Sequence, residues 1–481
     1  MATKTSSNPV AEHDIPEVEV HPPTAVLPEK RVARLTVAER QERGRALREK
    51  VPRSSHSYWV EAPDRTDPIA LLESQAKTRL PDLVPIRYSR MRVSPFTFFR
   101  GSAIVMAHDL ARTPITGIRT QLCGDCHLSN FGAYASPERT LMFDINDFDE
   151  TLPGPWEWDM KRLAASFTVA GRGNGFTAAE CREAVMTVVR SYREHMAEFA
   201  EMRDIEIWYS HVTAQNLLER LSTKQQKKQL QRTITKTESR GSLQAFDKMT
   251  EIVDGRHVIA SDPPLLMRIP VEDQMEELRK LIHAYQQTLR DDYRHLLQHY
   301  QFEDLARKVV GVGSVGTRCF IALMDGRDEF DPLFLQVKEA EASVLESHLP
   351  KSAYRNQGER VVAGQRLMQA ASDIFLGWIR GPEGRDFYFR QLRDMKGSAE
   401  IETMTPMTMN FYASICGWAL ARAHARTGDP IEISAYLGVS ERFDLAIASF
   451  AEAYADQTER DHKAFLAAIK SGRIVAASSG Q

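Results

Sequence analysis

Read for the spacing of its apolar positions, the chain divides into stretches of different character. Residues 1–30, rich in Pro, Glu, Val and Ser, follow neither a helical nor a strand period, so a disordered tail is expected over 1–35. Thr36–Lys50 (TVAERQERGRALREK) reads as a charged helix with most of its surface in water, and Ile69–Lys77 as a helix ending ahead of Pro81. They make an N-terminal helical segment over 36–95. Met160, Leu163, Phe167 and Ala170 recur at three- and four-residue steps, one apolar face of a helix, with Asp159 where an N-cap belongs. Thr177–Gln301 is mainly helical, broken at Asp254–Pro270 by a predicted loop or extended segment.

Strand patterns are fewer. Thr140–Ile145 is a short, mainly apolar strand. Arg318–Met324 (RCFIALM) is β-rich and meets an Asp325-Gly326 turn, and Leu333–Val337 is a strand ending in Lys338. Ile374–Arg380 and Asp386–Leu392 are strands joined by a Gly-Pro-Glu-Gly turn; they complete a small sheet, with Gln391–Met395 as a hinge. Phe411–Arg426 returns to helix, with Ile415, Ala419, Leu420 and Ala423 inward and basic residues near its end, where the dipole favours them.

Composition narrows the classes. A chain of 481 residues has room for two or three domains or lobes. A net charge of −3 provides no basic field for nucleic acid or an anionic membrane. Five cysteines, no leader-like apolar run after Met1 and no long apolar span predict a reduced, soluble, cytoplasmic protein.

The densest run of reactive side chains is Cys123–Thr151, CGDCHLSNFGAYASPERTLMFDINDFDET. Asp125, His127 and Asn130 lie before the strand, and Asp144, Asp147, Asp149 and Glu150 at its end. Carboxylates and an Asn at loop and strand ends hold hard cations such as Mg²⁺, which prefer oxygen ligands. Asp125 and Asn130 stand five apart, the spacing of a kinase's catalytic-loop Asp and metal-binding Asn. A surface turn would explain the acids but not the apolar strand joining them.

Gly311, Gly313 and Gly316, with Ser314 among them, make a G-x-G-x-x-G motif that dinucleotide folds and kinases share. A Rossmann turn must open a helix. Here a strand follows, and strand, glycine turn, strand is the kinase arrangement, in which backbone amides approach phosphates closely. Lys338, ending the next strand, matches the kinase lysine on the α- and β-phosphates. Its acidic partner is expected among Glu339, Glu346 and Glu359, of which Glu359 has the nearest spacing.

Other patterns carry less. Arg87–Gly101 interleaves Arg with Phe96, Phe98 and Phe99, as nucleotide and single-strand binders do. Nothing downstream repeats it, so the aromatics read as core and the arginines as locally paired. Lys224, Lys227, Lys228, Arg232 and Lys236 read as a solvated helix face, and His283, His295 and His299 lack H-E-x-x-H spacing. Cys123-x-x-Cys126-His127 fits c-type haem attachment, but haem requires export; structural zinc requires a second Cys/His pair, and Cys181, Cys319 and Cys416 stand alone. Reduced, metal-free thiols are expected.

The motif GDxHxxN, a strand and then Asp-Phe resembles the catalytic core of the aminoglycoside and choline phosphotransferases of the protein-kinase-like superfamily. The wider set (CGDCHLSNFG, FDINDFDET, VGVGSVGTRCF, LQVKEA, RVVAGQRLMQAASD and LARAHAR) is similar to the bacterial domain-of-unknown-function 2252 family from about Phe96 to the C-terminus. In the phosphotransferases, an Asp that begins a helix beyond the metal-binding strand hydrogen-bonds back to the catalytic loop, a role open to Asp159. Ala-Arg-Ala-His-Ala-Arg resembles the helix that leads into that loop there, yet here the loop comes far earlier in the chain.

The resemblance implies an α+β, two-lobed protein-kinase-like fold that is circularly permuted, with a small antiparallel-sheet lobe and a large helical lobe. Residues 96–300, with a helical insertion, and 401–481 would form the helical lobe, and 301–400 the sheet lobe. It implies ATP- and Mg²⁺-dependent phosphoryl transfer to a small-molecule hydroxyl or amine. Asp125 would orient or deprotonate the acceptor while His127 braces the loop. Asn130 and Asp147, with Asp144 as second choice, would hold the metal; Gly311, Gly313, Ser314, Gly316 and Lys338, paired with Glu359, would hold the triphosphate. The partners implied are a nucleotide and a small acceptor, without nucleic acid or membrane. Acceptor identity and oligomeric state are not legible. A nucleotide-binding regulator or pseudokinase, a nucleotidyl transferase, and a thiol redox protein using Cys123 and Cys126 are the rival readings.

Overall fold

Thr36 starts the first helix, α1 (Val37–Lys50), with a reciprocal cap: its hydroxyl accepts from Glu39 N, and its own N–H donates to the Glu39 carboxylate. The computed structural model describes residues 35–221, 223–239, 242–271, 275–328, 330–392 and 395–478. The tail expected over 1–35 therefore lies outside the described residues except for Leu35, and the hinge over Gln391–Met395 lies partly outside them. Helices α2 (Pro68–Ala76), α3 (Val84–Met91), α4 (Pro95–Gly101) and α5 (Ala103–Leu110) follow. Arg87–Gly101 thus spans two short helices, with Phe96, Phe98 and Phe99 buried as expected.

Strands β1 (Arg119–Leu122), β2 (Phe131–Ala135), β3 (Leu141–Ile145) and β4 (Leu152–Pro155) come next. β1 pairs with β4, and β2 with β3, all antiparallel. Helix α6 (Trp156–Gly173) begins three residues before Asp159, and Pro155 holds its N-cap position. Asp159 is therefore not the cap. α7 (Ala178–Glu201), α8 (Asp204–Tyr209), the short β5 (Val212–Thr213) beside β3, α9 (Ala214–Arg220), α10 (Lys224–Glu238) and α11 (Ser242–Met249) continue the helical run.

The break at Asp254–Pro270 resolves into strands. β6 (Thr250–Val253) and β7 (Arg256–Ile259) make a hairpin whose turn, Asp254-Gly255, takes positive φ at both residues. β8 (Leu266–Arg268) then joins the main sheet. After α12 (Met275–Gln287) and α13 (Asp291–Leu297) come β9 (Gln301–Lys308), β10 (Cys319–Asp325), β11 (Pro332–Ala340), α14 (Gln357–Met368), β12 (Gly377–Arg380) and β13 (Asp386–Gln391). The antiparallel sheet runs β12-β13-β11-β10-β9-β8. Tyr285 of α12 stacks on Phe389 at 4.0 Å, so one face of the sheet packs on α12, and Phe246 of α11 lies on the other.

The short β14 (Gly397–Ser398) pairs with β2, and α15 (Pro406–Ala425), α16 (Pro430–Leu437) and α17 (Arg442–Lys470) complete the chain. The largest apolar core joins α6, α7, α15 and α17 around β2 and β3. The architecture is α+β with antiparallel sheets. The sheet reaches back to β8, before the boundary expected at 301, because that edge of β9 pairs with residues 266–268. Among the described residues, no helix is long and apolar enough to cross a membrane.

Candidate functional site

Asp125 lies on the loop after β1, and that loop is fixed from beneath. Asp159 accepts from the Cys123 and Gly124 amides at 2.8 and 3.0 Å. Gly124 carries φ +83°, and a Cβ there would approach the Glu150 carbonyl to 2.2 Å, so the turn requires glycine. Arg162, one turn after Asp159 on α6, holds Asp125 Oδ1 through Nε at 2.7 Å and Nη2 at 2.5 Å. Burial raises the Asp125 carboxyl above its ordinary range, and Arg162 works against that rise. His127 Nε2 stands 3.8 Å from Asp125 Oδ2. Burial, then the charges of Arg100 and Arg162, push this imidazole well below its usual value, so the contact is not between two charges.

Asn130 donates through Nδ2 to Asp125 O at 2.7 Å, which turns its side-chain oxygen away from that bond. Its backbone C=O accepts from Asn146 N, extending the β2–β3 ladder at its open end next to Asp147. Asp147 Oδ1 accepts from Asp149 N at 3.2 Å, leaving Oδ2 for a further ligand. Burial and the neighbouring Asp149 charge raise the Asp147 carboxyl. Two oxygen donors at the meeting point of two cavities fit a hard cation.

Asp144 does not fit. Its carboxylate is sealed in the core by Arg422 Nη2, at 2.7 and 2.5 Å, and also accepts from Ala370 N. This corrects the second-choice metal ligand: the side chain lines neither cavity, and a buried guanidinium already neutralises it.

Across from the loop, β9 and β10 form an antiparallel pair joined by residues 309–318, with Gly311 and Gly316 at φ +66° and +95°. A Cβ at Gly313 would come within 3.1 Å of the Arg100 carbonyl, and Ser314 Oγ donates to Asp149 Oδ2 at 3.3 Å. The loop is clamped from outside. Arg90 Nη1 and Arg79 Nη1 donate to Gly311 O and Val315 O, and Leu80 N donates to Gly316 O. Val312 and Val315 pack into the N-terminal helices.

Lys338 stands opposite Cys319 in the β10–β11 ladder and forms its ion pair with Asp149. Tyr388 Oη donates to the other Asp149 oxygen at 2.6 Å. Burial alone would raise the Asp149 carboxyl, but Lys338 outweighs it and brings it down to about 2. Lys338 itself is held protonated, the Asp149 charge overcoming its burial. Glu359, the expected partner, occupies the first turn of α14. Its neighbour Arg360 instead donates to the carbonyls of Thr151, Asp149 and Glu341.

These residues come together in two adjoining cavities of about 690 and 600 Å³. Lys338 lines the first and Asp125 and His127 the second; Arg100, Asn130, Asp147, Gly311 and Ser314 line both. A model of the family described as "Uncharacterized protein conserved in bacteria (DUF2252)" matches residues 79–468. The chain belongs to this family. Among curated proteins and solved structures nothing matches it.

In this DUF2252 chain the match takes in every residue placed at the two cavities from Arg79 onward, both the loop and the sheet side. Sequence reasoning missed Arg162, although its i+3 spacing from Asp159 puts both on one helix face. It also missed Asp149 as the partner of Lys338, and Arg100 at the junction. Cys123, Cys126 and Asp159 have ligand atoms within 4.8 Å of one another, but both Asp159 oxygens already accept backbone amides. Burial pushes both thiols up, Cys126 to about 11, away from the reactive thiolate.

Proposed function

We propose that the protein is a phosphotransferase of protein-kinase-like, circularly permuted architecture, moving the γ-phosphoryl group of ATP to a small-molecule hydroxyl or amine. One observation carries the reading. Asp125, Asn130 and Asp147, from early in the chain, share two adjoining cavities with Lys338 and the glycine loop, from late in it. Asp159 bonding back to the loop amides is the second feature that the phosphotransferase resemblance leads one to expect.

In this reading the first cavity takes the nucleotide and the second the acceptor. Lys338, already cationic, exchanges Asp149 for the α- and β-phosphates, while the positive-φ glycines let backbone amides approach. Asn130 and Asp147 would hold Mg²⁺, which when bound neutralises phosphate charge. Asp125, aimed by Arg162, orients the acceptor X–H. The bond between the γ-phosphorus and the bridging oxygen breaks with its electron pair leaving on ADP, a new X–P bond forms, and the acceptor proton passes to the Asp125 carboxylate. Positioning and charge do most of such work, which these groups supply.

The regulator reading rests on Arg162. A guanidinium locked on Asp125 stabilises its anion and weakens it as a base. Calorimetric titration of the full chain with ATP and ADP, with and without Mg²⁺ or Mn²⁺, tests both readings. Metal-dependent binding that weakens about tenfold or more in Lys338→Ala is expected. Absence of nucleotide binding in every condition would sink both. Binding with no turnover across a panel of hydroxyl and amine acceptors would favour the regulator.

A further inference from the structure

Three side chains converge on the carboxylate of Asp149. Oδ2 accepts from the Lys338 ammonium and, at 3.3 Å, from the Ser314 hydroxyl; Oδ1 accepts from the Tyr388 hydroxyl at 2.6 Å. Donors on β11, on the glycine loop and on β13 are thus gathered on one anion from the segment after β3. Lys338 lines the first cavity, Asp149 the second and Ser314 both, so the ion pair crosses the boundary between them.

The surroundings decide which of these groups can move. Arg90, Arg79 and Leu80 hold the carbonyls of the glycine loop from outside. Lys338 and Tyr388 stand opposite each other in the β11–β13 ladder, and both are buried. The Asp149 backbone is fixed as well, its N–H on Asp147 Oδ1 and its C=O on Arg360. Its side chain keeps 27% of its surface exposed and can change position by rotating about χ1. A phosphate touching both Lys338 and Ser314 would have to place an oxygen where Asp149 Oδ2 sits, because these donors already share that atom. Two anions pressed on one point repel strongly.

We propose that Asp149 is an internal stand-in for phosphate, an autoinhibitory anion that must rotate into the second cavity before a nucleotide can bridge Lys338 and Ser314. This rests on the phosphotransferase reading. Tyr388 bonds the oxygen that the other two leave, so it acts on nucleotide binding through Asp149 and sets how firmly the carboxylate is held. Apparent affinity is then reduced by the fraction of molecules in which Asp149 has swung away. The arriving phosphate replaces the lost counter-charge, so Lys338 is never stranded.

The test is a calorimetric titration of the full chain with ADP, with and without Mg²⁺, and with adenosine. Asp149→Asn should tighten ADP about tenfold or more in both conditions, and Tyr388→Phe about two- to fivefold. Adenosine affinity should stay within about twofold in either variant, because adenosine has no phosphate to compete with the carboxylate. Tyr388→Phe leaves the ion pair in place and keeps the test open if Asp149→Asn, which strips Lys338 of its counter-charge, fails to fold. ADP affinity unchanged or lowered in the variants overturns the proposal, and the pair then only ties the sheet to the segment after β3. An equal gain for adenosine also overturns it, since the substitution would have widened the cavity and not removed a competitor. If neither the wild type nor either variant binds ADP in any condition, the phosphotransferase reading falls and this proposal with it.

Discussion

Around residues 123–151 the candidate side chains are held by partners from elsewhere in the chain, Arg162 on Asp125, Asp159 on the loop amides and Arg422 on Asp144. Between residues 301 and 340 the candidates are positioned mainly through backbone pairing, although Lys338 draws its counter-charge, Asp149, from the first region. Lys338 is set by the β10–β11 register, and the glycine loop by the hairpin that it closes and by donors to its carbonyls. In the first region a single buried partner fixes a charge whose loss leaves another charge stranded. In the second, many backbone bonds share the load. The difference predicts brittle behaviour on one side of the cavities and graded behaviour on the other.

The largest effect should come from Arg422→Ala. It strands a fully buried carboxylate and should cost about 3–5 kcal/mol, read as a fall in urea-unfolding stability. A loss below about 1 kcal/mol would remove the contrast between the regions. Next comes Asp125→Asn, which should cut phosphoryl turnover by about two to four orders of magnitude with nucleotide affinity nearly unchanged. Equal losses in affinity and turnover would move Asp125 from the acceptor to the nucleotide.

A pH dependence sharpens the comparison at its boundary. Burial pushes the folded Glu150 carboxyl up to about 7, against an ordinary 4.5 for the free group. Folding thus takes up a proton between those values, so stability present below pH 4.5 is lost as pH rises toward 7. Glu150→Gln should flatten that part of the stability profile; urea midpoints on either side of the window check it. An unchanged slope would show that Glu150 ionises normally in the folded chain.

The smallest effect should be Gly316→Ala. At φ +95°, with Arg79 atoms 3.0 Å from a new Cβ, it should cost about 1 kcal/mol or somewhat more and weaken nucleotide binding modestly. A collapse of folding here would make the glycine loop as brittle as the core.

The same contrast explains what the sequence made legible. β9, β10 and β11 are neighbours in the chain, so strand patterns, turn glycines and the strand-end Lys338 could all be read locally. The Asp125–Asn130 spacing is likewise local. Arg422 pairs with Asp144 across 278 residues, and no periodicity connects them. Glu359 was preferred for Lys338 on spacing along the chain, but spatial approach brought Asp149, which the sequence places beside Asp147 rather than beside the sheet. Asp159 looked like a cap because helix patterns expose apolar faces and not first turns; α6 starts earlier, at Trp156. The hairpin β6–β7 hid behind a short polar run whose Asp-Gly turn was visible but whose strands are only four residues each.

The Arg422–Asp144 pair also sets a timetable for synthesis. At typical elongation rates, roughly 15 to 55 s separate the emergence of Asp144 from that of Arg422. All six strands of the main sheet lie within residues 266–391, so they can close on one another while the helical body still waits for α15. The part of the protein made later is therefore finished first. A nascent chain stopped just short of α15 would hold a complete sheet beside a buried Asp144 that has no counter-charge, a form for chaperones and proteases to recognise.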